Sequence, residues 1–233
     1  QALLDMAVIN DFSEDYFDPN SDCYTEEIAL GWRLPRNQDS DETNLKDFTN
    51  SITGYQSAGA VPVAHYKSAN TDVLTRVIAK ISSKSPAQHI EDIADAVGYE
   101  GAFFISLSPE GYPAFSGGGC LSARDLARFG LIFTRQGRNI AGQPFANNEF
   151  LSKTISRDAP QLSEPKGWLR YSNHLMTDGR FVGHAGYGGQ FLLIDTKRKT
   201  SISFLSVLEN EDGYDDAYMG KVAVTLKNVL QQF

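Results

Sequence analysis

Cysteine is scarce, positive charge is in deficit, and no apolar run approaches twenty residues. Cys23 and Cys120 lie far apart, with no His or second Cys at metal-ligand spacing, so neither a zinc site nor a disulfide framework is indicated. Two buried thiols are expected. Against 29 Asp and Glu stand 21 Lys and Arg, giving a net charge of -8 and a pI near 5.0. That balance argues against nucleic acid or an anionic membrane as a partner, because phosphate would be repelled by most of the exterior. Small neutral or cationic ligands remain open. The lack of a long apolar run excludes a transmembrane helix. Asp and Glu are dense between Asn10 and Asp41, but the ligand spacing and closing Glu of an EF-hand are missing, which excludes that calcium loop.

What is present fits an ordinary globular protein. The chain has 233 residues, 41% hydrophobic and 11% aromatic, with a mean hydropathy of -0.31. That is enough to bury a full core as one large domain or two interleaved subdomains. The strongest local signal is late. Phe191 to Ile194 and Ile202 to Val207 are β-rich apolar runs around a polar connection with three cations, the pattern of an antiparallel hairpin. Ahead of it stand four glycines within seven residues, Gly183, Gly186, Gly188 and Gly189. They read either as a bulge or tight bend, or as a strand whose backbone something must approach closely.

Elsewhere the periodicity predicts helices. Val73, Leu74, Val77, Ile78 and Ile81 recur at helical spacing, giving a helix over about 71–83 capped by Ser68, Asn70 and Thr71. A short helix is expected over 88–97. Ser122 with Asp125 three residues on resembles a capping box opening another, whose Leu126, Phe129 and Phe133 share a face. Val222, Leu226, Val229, Leu230 and Phe233 form the stripe of a C-terminal helix within 214–233. The glycine run Gly117 to Gly119 before a helix start lacks the Lys-Ser/Thr pair of a phosphate-binding loop. The stretch 10–41 reads as a long loop carrying Tyr16, Phe17, Tyr24 and Trp32, with residues 36–42 as its exposed tip. Residues 57–62 read as a turn. Gln1-Ala-Leu-Leu-Asp-Met reads as the interior of an amphipathic helix.

Several words occur in a telling order. Leu3-Leu-Asp-Met, Phe12-Ser-Glu-Asp-Tyr16, Gly31-Trp-Arg33, Tyr66-Lys-Ser-Ala-Asn-Thr-Asp-Val-Leu74, Gly118 to Gly130 and His184-Ala-Gly-Tyr-Gly-Gly189 span nearly the whole chain. Together they resemble the β-lactamase-like serine hydrolases and penicillin-binding proteins, in the branch that contains 6-aminohexanoate-dimer hydrolase. The resemblance implies an α/β (α+β) fold: an antiparallel sheet flanked by helices, with a mostly helical subdomain. One β-lactamase-like domain is expected over 1–233, helical and loop-rich to about residue 175, with the hairpin and terminal helix over about 176–233.

The same resemblance implies roles. Tyr66 would relay a proton to the leaving group, which requires nearby cations if it is to act as phenolate. The backbone amide of Tyr187 would be an oxyanion donor, with Gly186 facing the scissile carbonyl. Tyr16 would close over substrate, Glu27 would recognise a substrate ammonium, Ser68 and Ser116 would touch substrate, and His184 would sit beside its leaving or carboxylate end. No metal or other cofactor is implied. The partner is a small-molecule amide or ester, cleaved through an acyl-enzyme, with no nucleic acid and no membrane; a homodimer is left open, as are cytoplasm and periplasm.

One departure is large. The family's nucleophile is the Ser of a Ser-x-x-Lys at a helix N-terminus. Ser163-Glu-Pro-Lys166 has the letters, but Pro165 and Gly167 read as loop, and Thr43-Asn-Leu-Lys46 has no better claim. In family order the motif precedes Gln1, so the Ser and Lys are expected from a segment upstream. Two alternatives stand beside the amide or ester hydrolase. One is a β-lactamase or D-alanyl-D-alanine peptidase, the other a non-catalytic binding member of the fold.

Overall fold

The computed structural model of the chain describes residues 1–35, 44–56, 63–209, 213 and 215–233. The expected loop tip over 36–42, the turn over 57–62, Thr43 and Tyr214 lie outside the described residues. Two compact units emerge, one of Gln1–Glu91 with Phe103–Cys120, the other of Asp92–Ala102 with Leu121–Phe233.

In the first unit, residues 2–6 are turns, not the expected helix. Met6 takes φ 51, and left-handed backbone there ends the single turn before a helix can propagate. Strand β1 (Ile9–Asn10) pairs antiparallel with β2 (Gly54–Gln56). Helix α1 (Asp22–Ala29) falls inside the stretch expected to be a loop. Its buried face is Cys23, Glu26 and Ala29, spaced for a helix but with a carboxyl where an apolar residue would have given the signal. Helix α2 (Leu45–Ser51) is capped by Asn44, whose side chain accepts from the Asp47 amide at 2.8 Å. Helix α3 runs over Ser68–Ile81, three residues earlier than expected, and its inward face is not the predicted apolar stripe. Ser68, Ala69, Asn70, Asp72 and Thr75 are buried, while Val77 and Ile81 are exposed. Helix α4 (Pro86–Val97), whose second half belongs to the other unit, opens with proline at the position where a missing N–H costs nothing. Strands β3 (Phe104–Ile105) and β4 (Gly119–Cys120) form a short surface ladder. Cys120 is consequently exposed, not buried as expected; Cys23 is buried. The core of this unit is Phe12, Cys23, Ala29, Leu30, Leu45, Phe48, Ala69 and Ala114.

The second unit is built on a five-stranded antiparallel meander, with helices α5 (Ala123–Phe129), α6 (Leu131–Thr134) and α7 (Asn148–Ser156) before it in sequence. Its strands, in spatial and sequence order, are β5 (Arg170–Ser172), β6 (Leu175–Thr177), β7 (Phe181–Gly186), β8 (Gln190–Asp195) and β9 (Thr200–Phe204). Helix α8 (Asp216–Leu230) follows. The expected hairpin is β8–β9, with residues 205–207 beyond the strand. Period-two alternation sorts β8 between two cores. Leu192 and Ile194 join Val182 against Ile132, Phe133 and Leu151 from the preceding helices. Phe191 and Leu193 join Met219 and Leu226 of α8. Each such side chain contributes about 1.5–3 kcal/mol by leaving water, and both faces of the sheet are thereby covered. Ser122 caps α5 as its spacing implied, accepting from the Asp125 amide at 3.1 Å.

The β8–β9 connection is held by a buried charge. The Asp195 carboxylate has no exposed surface and accepts from the Arg180 guanidinium at 2.9 Å and from the amides of Lys197 at 3.0 Å and Arg198 at 3.1 Å. Burial alone would raise its pKa, but the Arg198 amide and the Arg180 contact outweigh that and hold it below the usual carboxylate range. A depressed folded pKa means stability that is present above the unfolded value of about 4 and lost as pH falls through the folded one. Asp195→Asn should therefore cost about 2 kcal/mol near pH 7, and thermal unfolding should show that gap closing as pH is lowered below about 4.

Candidate active site

In the first unit the chain between β1 and α1 carries Glu14 and Tyr16 to the start of α3. Glu14 Oε2 accepts from the Ser68 amide at 2.8 Å, and its Oε1 accepts from the Ser68 hydroxyl at 2.6 Å and the Tyr16 hydroxyl at 2.8 Å. A helix N-terminus presents unpaired N–H groups and the positive end of the dipole, so a carboxylate brought from elsewhere can cap it. That replaces the local capping expected from Ser68, Asn70 and Thr71. Ser68 is the first helical residue, and Lys67, at the cap position, makes no side-chain cap. The Lys67 ammonium instead donates to the Phe12 carbonyl.

Tyr66, two residues ahead of Ser68, is 41% exposed. Its pKa is pushed up to about 12, first by desolvation and then by the Glu14 carboxylate, against the contact with the Ser68 hydroxyl; Glu26 and Asp72 add to the rise. Tyr16 is raised further still, by burial and by Glu14. Both phenols are thus protonated at neutral pH. The charges acting on Tyr66 are carboxylates, whereas the relay expected of it needs cations.

Ser116 also belongs to this unit, and its hydroxyl donates to Asp72 Oδ1 at 2.9 Å. The glycines after it have a structural reason. A Cβ at Gly117 would meet the Trp32 indole at 2.6 Å, and one at Gly118 would run into the Ser106 hydroxyl, to which Trp32 Nε1 donates at 2.6 Å. The run thus seats Trp32 and Ser106. Glu27 is engaged elsewhere. Its carboxylate pairs with Arg33 Nε at 2.6 Å, and the Arg33 guanidinium lies 4.3 Å from the Tyr24 ring centre, so the charge expected to meet a substrate ammonium already has a cation.

In the second unit, His184, Gly186 and Tyr187 lie on β7 and the turn that follows it. His184 Nε2 is 3.1 Å from the Tyr171 hydroxyl, with the rings edge to face at 5.8 Å. Burial lowers its pKa to about 4, so at neutral pH it is an uncharged imidazole. The four glycines separate by cause. Gly188 and Gly189 have φ of 75° and 86° in the turn to β8, conformations that favour glycine. Gly183 lies so close to β8 that a Cβ would collide with the Leu192 carbonyl. At Gly186 a Cβ would make only ordinary contact, 3.5 Å from Gln190 Cβ, and its φ is not positive. Neither turn nor packing demands glycine there.

Of the residues singled out in the sequence, Tyr16 and Ser68 meet on one carboxylate whose charge also acts on Tyr66, and Ser116 is tied to α3 through Asp72. Glu27 stands apart with Arg33. Sequence reasoning missed the connecting groups: Glu14, Glu26 and Asp72, the Trp32–Ser106 pair, and Tyr171 beneath His184. Asp72 left a trace, since it shares a helical face with Ala69 and Thr75. Glu14 left none among its acidic neighbours Asp11, Asp15 and Asp18. Among the described residues no group of three His, Cys, Asp or Glu is arranged to hold a metal ion.

Comparison with known proteins gives the family. The family model described as Beta-lactamase matches residues 33–224. The chain belongs to the Beta-lactamase family. It is similar to a 6-aminohexanoate-dimer hydrolase of Paenarthrobacter ureafaciens, 31% identical over 223 residues that cover 90% of this chain and 55% of that protein. A solved structure from Bacillus anthracis, provisionally named a 6-aminohexanoate-dimer hydrolase, has the same fold, with a TM-score of 0.80 at 21% identity over 100% of this chain and 60% of that one. The chain spans about half the length of the curated relative it matches. Membership confirms the mixed helix and antiparallel-sheet class expected from the ordered words.

The glycines of this Beta-lactamase-family strand give a direct check. Gly183→Ala should destabilise by about 3 kcal/mol through overpacking, whereas Gly186→Ala should stay within about 0.5 kcal/mol of wild type. Denaturant unfolding of the two variants measures the difference.

Proposed function

We propose that the protein is a serine hydrolase that cleaves a linear amide or ester bond through an acyl-enzyme, with 6-aminohexanoate-dimer-like amides as the favoured substrate class. The observation that carries this reading is the meeting of Tyr16 and Ser68 on Glu14 at the start of α3, with Tyr66 within the field of that carboxylate, in a chain of this family. The nucleophilic serine and its lysine are supplied by a part of the protein outside these 233 residues. Ser163-Glu-Pro-Lys166 is an unsuitable source, since it is not helical and Lys166 pairs with Asp216 at 2.5 Å.

In this mechanism the serine attacks the carbonyl and the developing oxyanion takes a hydrogen bond from the Tyr187 amide. Tyr66, which holds its proton at neutral pH, acts first as an acid and delivers that proton to the leaving nitrogen, an amine being a poor leaving group without it. The nucleophile's proton, taken up by the lysine, returns the phenolate to phenol. Gly186 leaves the strand open toward the scissile bond, Tyr16 covers the substrate, and Ser116 accepts a hydrogen bond from it. The surplus of negative charge favours substrates with a cationic end.

A fluorophosphonate probe on the full-length protein should label a serine; a folded but unlabelled sample would favour the binding-only alternative, and acylation by a penicillin would favour the β-lactamase one. Tyr66→Phe should lower kcat on a p-nitroanilide by about 10²-fold or more. Its effect on the matching p-nitrophenyl ester should be much smaller, because that leaving group departs without a proton. Equal losses on both substrates would contradict the role given to Tyr66.

A further inference from the structure

The proposed reaction leaves two buried carboxyl groups of the first unit unused. Glu26 on α1 is 4% exposed and Asp72 on α3 is fully buried. Asp72 Oδ1 has a donor in Ser116, at 2.9 Å. Asp72 Oδ2 and Glu26 Oε1 are buried with no donor, yet the two carboxyl groups are in hydrogen-bond contact with each other. Ionised carboxylates only accept, so the contact needs a proton on one of them. Burial raises both groups above their ordinary values, and their contact raises Glu26 further while working against the rise at Asp72. The Ser116 donor favours the charge on Asp72, and Glu26 has no comparable support, so Glu26 carries the proton and donates to Asp72 Oδ2. The groups that act on the pair from neighbouring segments are the Glu14 carboxylate, the Cys23 thiol on α1 and the Tyr66 phenol. None is a cation that would favour a second ionisation.

A serine hydroxyl has one proton and two lone pairs. With its proton committed to a buried carboxylate, the part-exposed Ser116 Oγ can only accept. We propose that Glu26 and Asp72, sharing one proton, are positioning residues that fix Ser116 as a hydrogen-bond acceptor and so make it select substrates bearing an N–H donor. The substrate half of this inference rests on the hydrolase reading; the shared proton does not.

The test uses the full-length protein and three variants, Glu26→Gln, Asp72→Asn and Ser116→Ala. Glu26→Gln keeps a donor toward Asp72 but cannot titrate. A raised folded pKa gives stability that is complete below the unfolded value and lost as pH rises through the folded one. Wild-type Tm should therefore fall relative to Glu26→Gln as pH is raised from about 5 to 9. Wild type should also show the infrared C=O stretch of a protonated carboxyl group that Glu26→Gln removes and Asp72→Asn shifts. Parallel Tm curves together with no such band would overturn the shared proton. On 6-aminohexanoyl p-nitroanilide, which carries N–H donors, Ser116→Ala should lose about tenfold in kcat/KM. On hexanoyl p-nitrophenyl ester, which has none, it should lose less than about twofold. Equal losses on both would overturn the selection by Ser116. If wild type hydrolyses neither substrate and takes no fluorophosphonate, the hydrolase reading and the selection fall together, and the infrared and Tm data still decide the shared proton.

Discussion

A single carboxylate organises the first unit. Glu14 arrives on an irregular segment and docks on the first turn of a helix that begins 54 residues later, taking one backbone and two side-chain hydrogen bonds. The helix gains a cap for its unpaired amides, worth about 1 kcal/mol for an ordinary capping residue. Tyr16 gains a fixed position, and Tyr66 gains a neighbour that holds its proton in place. Stability and chemistry share the same atoms here. This explains why α3 turns its polar residues inward and leaves Val77 and Ile81 exposed. The buried face is set by what Glu14, Asp72 and Ser116 require, not by the apolar stripe.

In the second unit the constraint is the sheet. β7 must pass close to β8 at Gly183 and turn back at Gly188 and Gly189, and these needs account for three of the four glycines. Gly186 is left over, between a half-buried neutral histidine and an exposed tyrosine, with neither turn nor packing to account for it. The neutrality of His184 follows from its burial with Tyr171. It narrows the imidazole's role to orientation and hydrogen bonding.

The class of fold was legible because its signals are local. The β8–β9 hairpin, the Ser122 cap and the stripe of α8 each depend on residues a few positions apart, and the ordered words across the chain pointed to the family. The failures have a common physical cause. Helix α1 was hidden because Glu26 occupies a core-facing position, and the start and inward face of α3 were misread because its cap comes from Glu14. The opening turns read as helix because nothing in Gln1 to Met6 reveals that Met6 adopts left-handed backbone. Cys120 was expected to be buried, as cysteines commonly are, but it sits on a two-residue ladder too short to cover it. At the candidate site the exposed or motif-bearing residues could be named from sequence. The carboxyl groups behind them could not, since their partners lie 44 to 54 residues away.

The central claim is that Glu14 adds to burial in holding the proton on Tyr66. It is tested most directly by following the phenol carbon of Tyr66 by NMR through an alkaline titration, in wild type and in Glu14→Gln, with Tyr66→Phe assigning the signal. The account predicts a wild-type value near 12 and a clear fall in Glu14→Gln. An unchanged value in the variant would contradict it.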